Sequence, residues 1–302
     1  MKLIIENRNI TISGGTICYY VCGNQESKVC MVFLNGLYHG KEAWVKQQRN
    51  LSFHQRFKMI FIDYRGAGES QFSTDEFSFF DLVNDIRAVI KAEKPETTIV
   101  VGYSVGGMVA LYYSYLYQKE IAGVILLNTG ISINIYTSKM LEGLVSFLKM
   151  GISLKDVLTF IIPWNHSAEY LEKINDFEEM VRENYNKYNR NTDALINFLK
   201  AIKSRPNLHA IIDKINLPVL LIGSKNDYIF PERFQIELNN KLPYSNLEII
   251  EDCGHSSFIE KDIEVNGLID SFLNKRLHFS LKETENAQNH YLSYWWHPSQ
   301  VD

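Results

Sequence analysis

The segment GYSVG at 102–106 places Ser104 between two glycines, each two residues away. An apolar run, 98–101, precedes the segment, and a stretch of helical character, 105–117, follows it. This context is typical of a nucleophile elbow, in which a serine occupies a strained turn between a strand and a helix. Glycines are required there because neighbouring backbone passes too close for a Cβ atom. We predict that Ser104 is a nucleophile; the alternative is a glycine-rich turn with an ordinary surface serine.

A serine hydroxyl needs a base to accept its proton, and the base needs an acid to orient it. Asp227 follows the apolar run 218–222, and His255 follows the apolar run 247–250. Catalytic groups gather at the carboxyl ends of the strands in an open α/β sheet. We therefore predict Asp227 as the acid and His255 as the base. Asp252 is a rival acid, but it lies only three residues before the histidine and could hardly orient its ring.

The oxyanion of an acyl-transfer intermediate needs two N–H donors. In an elbow of this kind one donor is the residue after the nucleophile, here Val105, and the other comes from the loop after an earlier strand. That loop reads LNGL at 34–37, and we predict the Leu37 N–H as the second donor. The residues that we assign to the substrate site are Tyr103, His39 and Trp164.

A glycine-rich run, DYRGAGES at 63–70, also contains an arginine. Such a run can bind phosphate, but this one has neither the P-loop lysine pattern nor a complete G-x-G-x-x-G. We interpret it as a structural turn beside the site, with Asp63 and Arg65 paired with each other.

Short apolar runs alternate with longer amphipathic ones through most of the chain. This alternation predicts an α/β fold with a mostly parallel, eight-stranded sheet and helices on both faces. The predicted strands are 3–12, 16–22, 29–34, 58–63, 98–101, 122–127, 218–222 and 247–250. The predicted helices between and after them are 42–54, 79–92, 105–117, 232–241 and 263–273.

The alternation stops between residues 131 and 205, where helical segments broken at Pro163 and around 189–191 contain no convincing strand. We predict that 131–205 is a helical insert between two strands of the core. The core then comprises 1–130 and 206–274, and a C-terminal extension with an aromatic end comprises 275–302.

The composition excludes several classes of protein. With 31 basic and 35 acidic residues the net charge is −4, which argues against a nucleic-acid-binding face. Four cysteines are too few for a disulfide framework and lack zinc-site spacing, so we expect reduced thiols and no metal.

The N-terminal apolar run 3–5 is too short for a signal peptide, and glycines and tyrosines interrupt the uncharged stretch 97–117. We expect a cytoplasmic protein without a transmembrane segment.

Five segments together resemble the α/β-hydrolase superfamily: FLNGL (33–37), DYRGAGES (63–70), GYSVGG (102–107), GSKNDYIFP (223–231) and GH (254–255). The resemblance covers residues 5–273 and implies an α/β-hydrolase sheet and the same triad of Ser104, Asp227 and His255. It also implies that the insert 131–205 is a helical cap, which should roof the pocket and set the choice of substrate. A serine at this position argues against the dehalogenase and epoxide-hydrolase branches, which have aspartate there. One departure is Asn35-Gly36, where most relatives have His-Gly, and this leaves the subfamily open. In its Asn-Gly pair the chain also resembles an acyltransferase that joins 3-hydroxyacyl groups, although this similarity is short.

We therefore predict a serine hydrolase that cleaves a carboxylic ester or thioester through an acyl-enzyme on Ser104. Its expected partner is a small-molecule acyl substrate, free or carrier-bound, and no metal or organic cofactor is required. Three alternatives stay open: an acyltransferase that uses the same acyl-enzyme, a non-catalytic ligand-binding protein, and hydrolysis of a C–C bond or a lactone by the same triad.

Overall fold

The computed structural model describes residues 4–72, 76–187 and 192–283. Its centre is one open sheet. The strands are β1 (Ile5–Ile12), β2 (Gly15–Gly23), β3 (Val29–Leu34), β4 (Lys58–Ile62), β5 (Gln71–Phe72), β6 (Thr97–Tyr103), β7 (Gly123–Leu127), β8 (Val219–Ser224) and β9 (Ser245–Ile250). They lie in the order β1-β2-β4-β3-β6-β7-β8-β9, and β5 pairs with β2.

The pairing confirms the predicted mostly parallel sheet. The hairpin β1–β2 is antiparallel, as are the pairs of β2 with β4 and with β5. All pairs from β4 through β3, β6, β7 and β8 to β9 are parallel. The eight predicted strands are present, and the two-residue β5 is a ninth that is too short to leave a pattern in the sequence.

Helices cover both faces of this sheet. Within the described residues they are α1 (Val45–Gln48), α2 (Leu51–Arg56), α3 (Phe79–Glu93), α4 (Val105–Leu116), α5 (Ile135–Lys149), α6 (Leu154–Asn165), α7 (Ala168–Leu171), α8 (Phe177–Lys187), α9 (Thr192–Lys203), α10 (Glu232–Lys241), α11 (Ser257–Glu260) and α12 (Asp262–Glu283). Strand β3 shows why the central strands read as unbroken apolar runs. Val32 and Leu34 pack with α3 and α4 on one face, whereas Met31 and Phe33 pack with α2 and α12 on the other.

Two predicted helices differ from the structure by more than one residue. The segment 42–54 is not one helix but a 3₁₀ turn (Lys41–Trp44) followed by α1 and α2. The break comes at Asn50, whose side chain accepts a hydrogen bond from the Phe53 N–H at 3.0 Å and starts a new helix. Helix α12 continues to Glu283, past the boundary predicted at 274.

Between β7 and β8 the chain forms α5 to α9 and no strand in the residues that the structure describes. These helices share an apolar cluster, which includes Leu144, Val157, Val181 and Leu195. Pro163 does not break the helix where it stands. It lies in the last turn of α6, which ends two residues later at Asn165. The bond that the missing proline N–H would make is therefore lost only from the final turn. The second predicted break, at 189–191, and the aromatic end of the predicted extension lie outside the described residues.

Candidate active site

Ser104 occupies the turn between β6 and α4, as the GYSVG segment predicts. Its backbone has φ 55° and ψ −125°, a conformation that non-glycine residues rarely adopt. Two hydrogen bonds to residues at and just after the end of β7 hold the turn. The Ser104 N–H donates to Leu127 O at 2.9 Å, and Thr129 Oγ1 donates to Ser104 O at 2.7 Å. The strained conformation is thus held in place by the end of β7 and the residues that follow it.

Close backbone contacts explain the glycines on either side of the serine. A Cβ atom at Gly102 would lie 2.6 Å from Gly106 O, and one at Gly106 would lie 2.4 Å from Asn35 O. Both distances are too short for any side chain. The loop after β3 therefore lies directly against the elbow.

The structure brings together the three residues predicted to form the triad. His255 Nε2 lies 2.8 Å from Ser104 Oγ, and His255 Nδ1 lies 2.9 Å from Asp227 Oδ2. An ionised carboxylate only accepts hydrogen bonds, so Nδ1 carries the proton and Nε2 is left to accept the serine proton. All three side chains are buried, whereas the rival Asp252 is exposed.

Both carboxylate oxygens of Asp227 accept hydrogen bonds. Oδ1 accepts hydrogen bonds from the Ile229 and Phe230 N–H groups at 2.8 Å each. Oδ2 accepts from His255 and also from Asn128 Nδ2 at 3.1 Å. Hydrogen bonds of this kind stabilise the charged form of a carboxylate.

The sequence analysis missed Asn128, which follows β7 and is fully buried. Its amide donates to Asp227 and to Ser224 Oγ, and its carbonyl oxygen accepts from Ser257 Oγ at 2.5 Å. Its backbone has φ 47°. Asparagine tolerates this region better than most residues do, and a polar residue just after a buried strand is the signal that could have identified it.

Both predicted oxyanion donors lie beside the serine. Val105 is the first residue of α4, where the N–H has no acceptor within the helix. A Cβ atom at Gly36 would lie 3.2 Å from Ser104 Cβ, so the loop that carries Leu37 reaches the nucleophile. Asn35 braces this loop: its Nδ2 donates to Ile62 O at 2.7 Å, and its Oδ1 accepts from Trp44 Nε1 at 2.6 Å.

A cavity opens onto Ser104 and His255 and has a mainly apolar lining. Its other lining residues are Leu37, Tyr38, His39, Tyr103, Val105, Ile133, Thr137, Met140, Leu141, Ile161, Asn165, Ile229 and Phe230. No Asp, Glu, Lys or Arg is found among the described residues that line it. The cavity therefore favours an uncharged ligand, since a buried charge without a partner is unfavourable.

Two of the three residues assigned to the substrate site line this cavity. Tyr103 and His39 do so, and burial lowers the pKa of His39 to about 4, which makes its imidazole neutral at neutral pH. Trp164 does not line the cavity. It is 43% exposed and lies near Phe160, because α6 directs Ile161 and Asn165 towards the cavity and Trp164 towards solvent. The geometry thus gives no support to the assignment of Trp164.

The glycine-rich turn contains ion pairs other than the predicted one. Asp63 and Arg65 are not paired with each other. Lys41 Nζ donates to Asp63 Oδ2 at 2.7 Å, with both side chains fully buried, and Arg65 makes two hydrogen bonds to Asp85, at 2.6 and 2.7 Å. Both partners come from distant parts of the chain, so sequence proximity misled the prediction.

Glu260 joins the predicted cap to the loop that carries His255. Its carboxylate accepts hydrogen bonds from the Gly254 N–H at 3.1 Å and from Ser167 Oγ at 2.8 Å, and it lies 3.1 Å from His166 Nδ1. Burial alone would raise the pKa of Glu260, but these partners outweigh burial and lower it. A Cβ atom at Gly254 would lie 2.5 Å from the Ser167 nitrogen, so the two segments are packed backbone to backbone.

Other features of the described residues bear on the predicted chemistry. None of the four cysteines forms a disulfide, and three of them are buried. Burial raises the pKa of these three thiols, Cys22, Cys30 and Cys253, to about 12. Within the described ranges, no three His, Cys, Asp or Glu side chains lie close enough to hold a metal ion. None of the helices in those ranges is both long and apolar enough to cross a membrane.

The chain is similar to known proteins over most of its length. A family model described as alpha/beta hydrolase fold matches residues 29–262. A monoacylglycerol lipase of Xenopus laevis is 25% identical over 90% of this chain and 82% of its own length. A 2-hydroxy-6-oxononadienedioate/2-hydroxy-6-oxononatrienedioate hydrolase of Klebsiella pneumoniae is 22% identical over 88% of this chain and 94% of its own. The solved structure of a thermophilic esterase from Thermogutta terrifontis superposes with a TM-score of 0.77 at 19% identity, covering 89% of this chain and 98% of that one.

Proposed function

This chain belongs to the alpha/beta hydrolase fold family, and we propose that it is a serine hydrolase that cleaves a carboxylic ester or thioester. The observation that carries the proposal is the continuous hydrogen-bonded series from Ser104 Oγ through His255 to Asp227, with distances of 2.8 and 2.9 Å. A nucleophile, a base and an orienting acid are the groups that acyl transfer requires.

The reaction begins with attack by Ser104 on the acyl carbon. As the serine Oγ forms a bond to that carbon, its proton passes to His255 Nε2. Asp227 keeps the Nδ1 proton in place and stabilises the imidazolium electrostatically. Nε2 then gives its proton to the departing alcohol or thiol, which leaves an acyl-enzyme on the serine. A water molecule repeats the same steps and releases the carboxylic acid.

The negative charge on the tetrahedral intermediate needs donors that are already in position. The N–H groups of Val105 and Leu37 fill this role in the proposal, because the first begins α4 and the second lies in the loop against the elbow. The positive end of the α4 dipole adds to the stabilisation. Removal of one such donor in other enzymes lowers the rate by about 10²–10³.

The cavity supports an uncharged acyl substrate. Its apolar lining comes partly from the predicted cap, through Met140, Leu141 and Ile161, and partly from the core. We propose that the segment 131–205 is a cap that selects the acyl group. One of the relatives named above is a monoacylglycerol lipase, which supports ester cleavage by this chain as well.

The proposal is tested with p-nitrophenyl esters of increasing acyl length. The wild-type protein should release p-nitrophenol, and Ser104→Ala should lower kcat by about 10⁶, the loss seen when such a nucleophile is removed elsewhere. Ser146→Ala is the matched control, because Ser146 is an exposed serine on α5. The chain length that gives the highest rate reports the depth of the pocket. Equal rates for wild type and Ser104→Ala with every ester would refute the proposal.

Product analysis distinguishes hydrolysis from transfer of the acyl group. We expect the free acid as the product whether or not a hydroxyl acceptor is added to an acyl thioester. Formation of an acylated acceptor that depends on Ser104 would instead identify an acyltransferase with the same acyl-enzyme.

A further inference from the structure

Tyr38 follows Leu37, the proposed oxyanion donor, and lines the same cavity as Ser104. Its backbone has φ 66°, in the left-handed region where a bulky residue is a conformational outlier. The surrounding structure must hold this strain, and strain of this kind concentrates at functional sites.

The Tyr38 side chain is only 9% exposed and packs in the apolar cluster of the predicted cap, which includes Leu144, Leu158 and Ile161. Its hydroxyl is buried and has no hydrogen-bond partner among the residues that the structure describes. Burial raises the pKa of Tyr38, so the hydroxyl stays protonated and able to donate. A buried donor without an acceptor is unfavourable, which makes this hydroxyl an exception that calls for an explanation.

We propose that the Tyr38 hydroxyl donates a hydrogen bond to a second, uncharged oxygen on the acyl chain of the substrate. This inference rests on the proposed function and narrows it: the substrate class is an oxo-, hydroxy- or alkoxy-substituted acyl ester or thioester. The acyl chain is the part concerned because Tyr38 is packed among the apolar side chains of the predicted cap.

The lining of the cavity indicates that this oxygen is neutral. Lys and Arg are absent from the described residues that line it, and His39 is neutral at neutral pH because burial lowers its pKa to about 4. A carboxylate on the acyl chain would therefore be buried without a counter-ion, which is strongly unfavourable. A ketone or ether oxygen only accepts hydrogen bonds, so the single donor that Tyr38 supplies is enough for it, and a hydroxyl oxygen can accept from the same donor.

The test measures binding in the Ser104→Ala protein, where no ester is consumed. The ligands are methyl hexanoate and the methyl esters of 3-oxo-, 4-oxo- and 5-oxohexanoic acid, with affinities from calorimetry. We expect at least one oxo ester to bind about tenfold more tightly than methyl hexanoate, as one added hydrogen bond to a buried donor allows. Adding Tyr38→Phe should abolish that preference.

Tyr113→Phe in the same background is the matched control. Tyr113 is also fully buried with an unpaired hydroxyl, but it does not line the cavity. Both phenylalanine variants should raise the melting temperature, because each removes a buried unpaired donor, whereas only Tyr38→Phe should change the preference for oxo esters. A preference that survives Tyr38→Phe, or no measurable binding of any ester, would overturn the assignment of Tyr38. Failure of the wild-type protein to hydrolyse any ester would count against the proposed function instead.

Discussion

Replacement of Glu260 by glutamine tests whether a buried carboxylate holds the predicted cap against the loop that carries His255. The glutamate accepts hydrogen bonds from Gly254 in that loop and from Ser167 in the predicted cap, and it lies beside His166. Glutamine has nearly the same shape but no charge, and its NH₂ group can only donate. One of the donors that now point at the carboxylate is then left without an acceptor.

The size of the effect follows from these contacts. A hydrogen bond to a charged group contributes about 1.5–3 kcal/mol, and the side chain of Glu260 is 1% exposed, so solvent cannot replace a lost partner. We therefore expect Glu260→Gln to lower the free energy of unfolding by about 2 kcal/mol. For a chain of this size that corresponds to a fall in Tm of about 3 °C. Glu142→Gln is the control, because Glu142 pairs with Lys139 on the surface of α5 and should change stability by less than about 0.5 kcal/mol.

The dependence on pH provides a second, independent readout. The pKa of Glu260 in the folded protein lies below its ordinary value of 4.5, so the folded state binds this proton less readily than the unfolded state does. The stabilisation is then fully present above that value and is lost as the pH falls through the lower, folded-state pKa. Urea unfolding at a series of pH values should show that wild type is more stable than Glu260→Gln at neutral pH, and that this difference shrinks in acid. Equal stability of the two proteins at neutral pH, or a difference that persists in acid, would refute this reasoning.

Two further outcomes are expected. Asn128→Ala should lower kcat/KM for a p-nitrophenyl ester by about tenfold, because Asp227 loses one of its four hydrogen bonds. An unchanged kcat/KM would show that Asn128 has no part in positioning the acid. Lys41→Met should lower the free energy of unfolding, measured in urea, by about 3–5 kcal/mol, because it leaves the Asp63 carboxylate buried without its partner. The double variant Lys41→Met with Asp63→Leu should recover part of this loss. No recovery in the double variant would mean that the loss comes from packing and not from the unpaired charge.

Much of the fold could be predicted because its signals are local. Apolar runs such as Val29–Leu34 are buried on both faces of the sheet, and a run of that kind is visible without knowing its neighbours. The helix Glu232–Lys241 also has its predicted bounds. Predictions failed where a single side-chain hydrogen bond set the local structure, as at Asn50, which caps a new helix inside the segment 42–54.

The sequence alone determined which residue types stand at the ends of the strands: Ser104 in its elbow, and Asp227 and His255 each just after a buried strand. Strand ends meet at one edge of a parallel sheet, so chain order and strand pattern were enough to predict that these three would lie together. The tertiary structure alone decided which side chains brace them. Asn128 reaches Asp227 across 99 positions of the chain, and Glu260 reaches Ser167 across 93. Such contacts leave no periodic pattern in the sequence, because a hydrogen bond depends on the distance and direction of two atoms after packing and not on their separation along the chain.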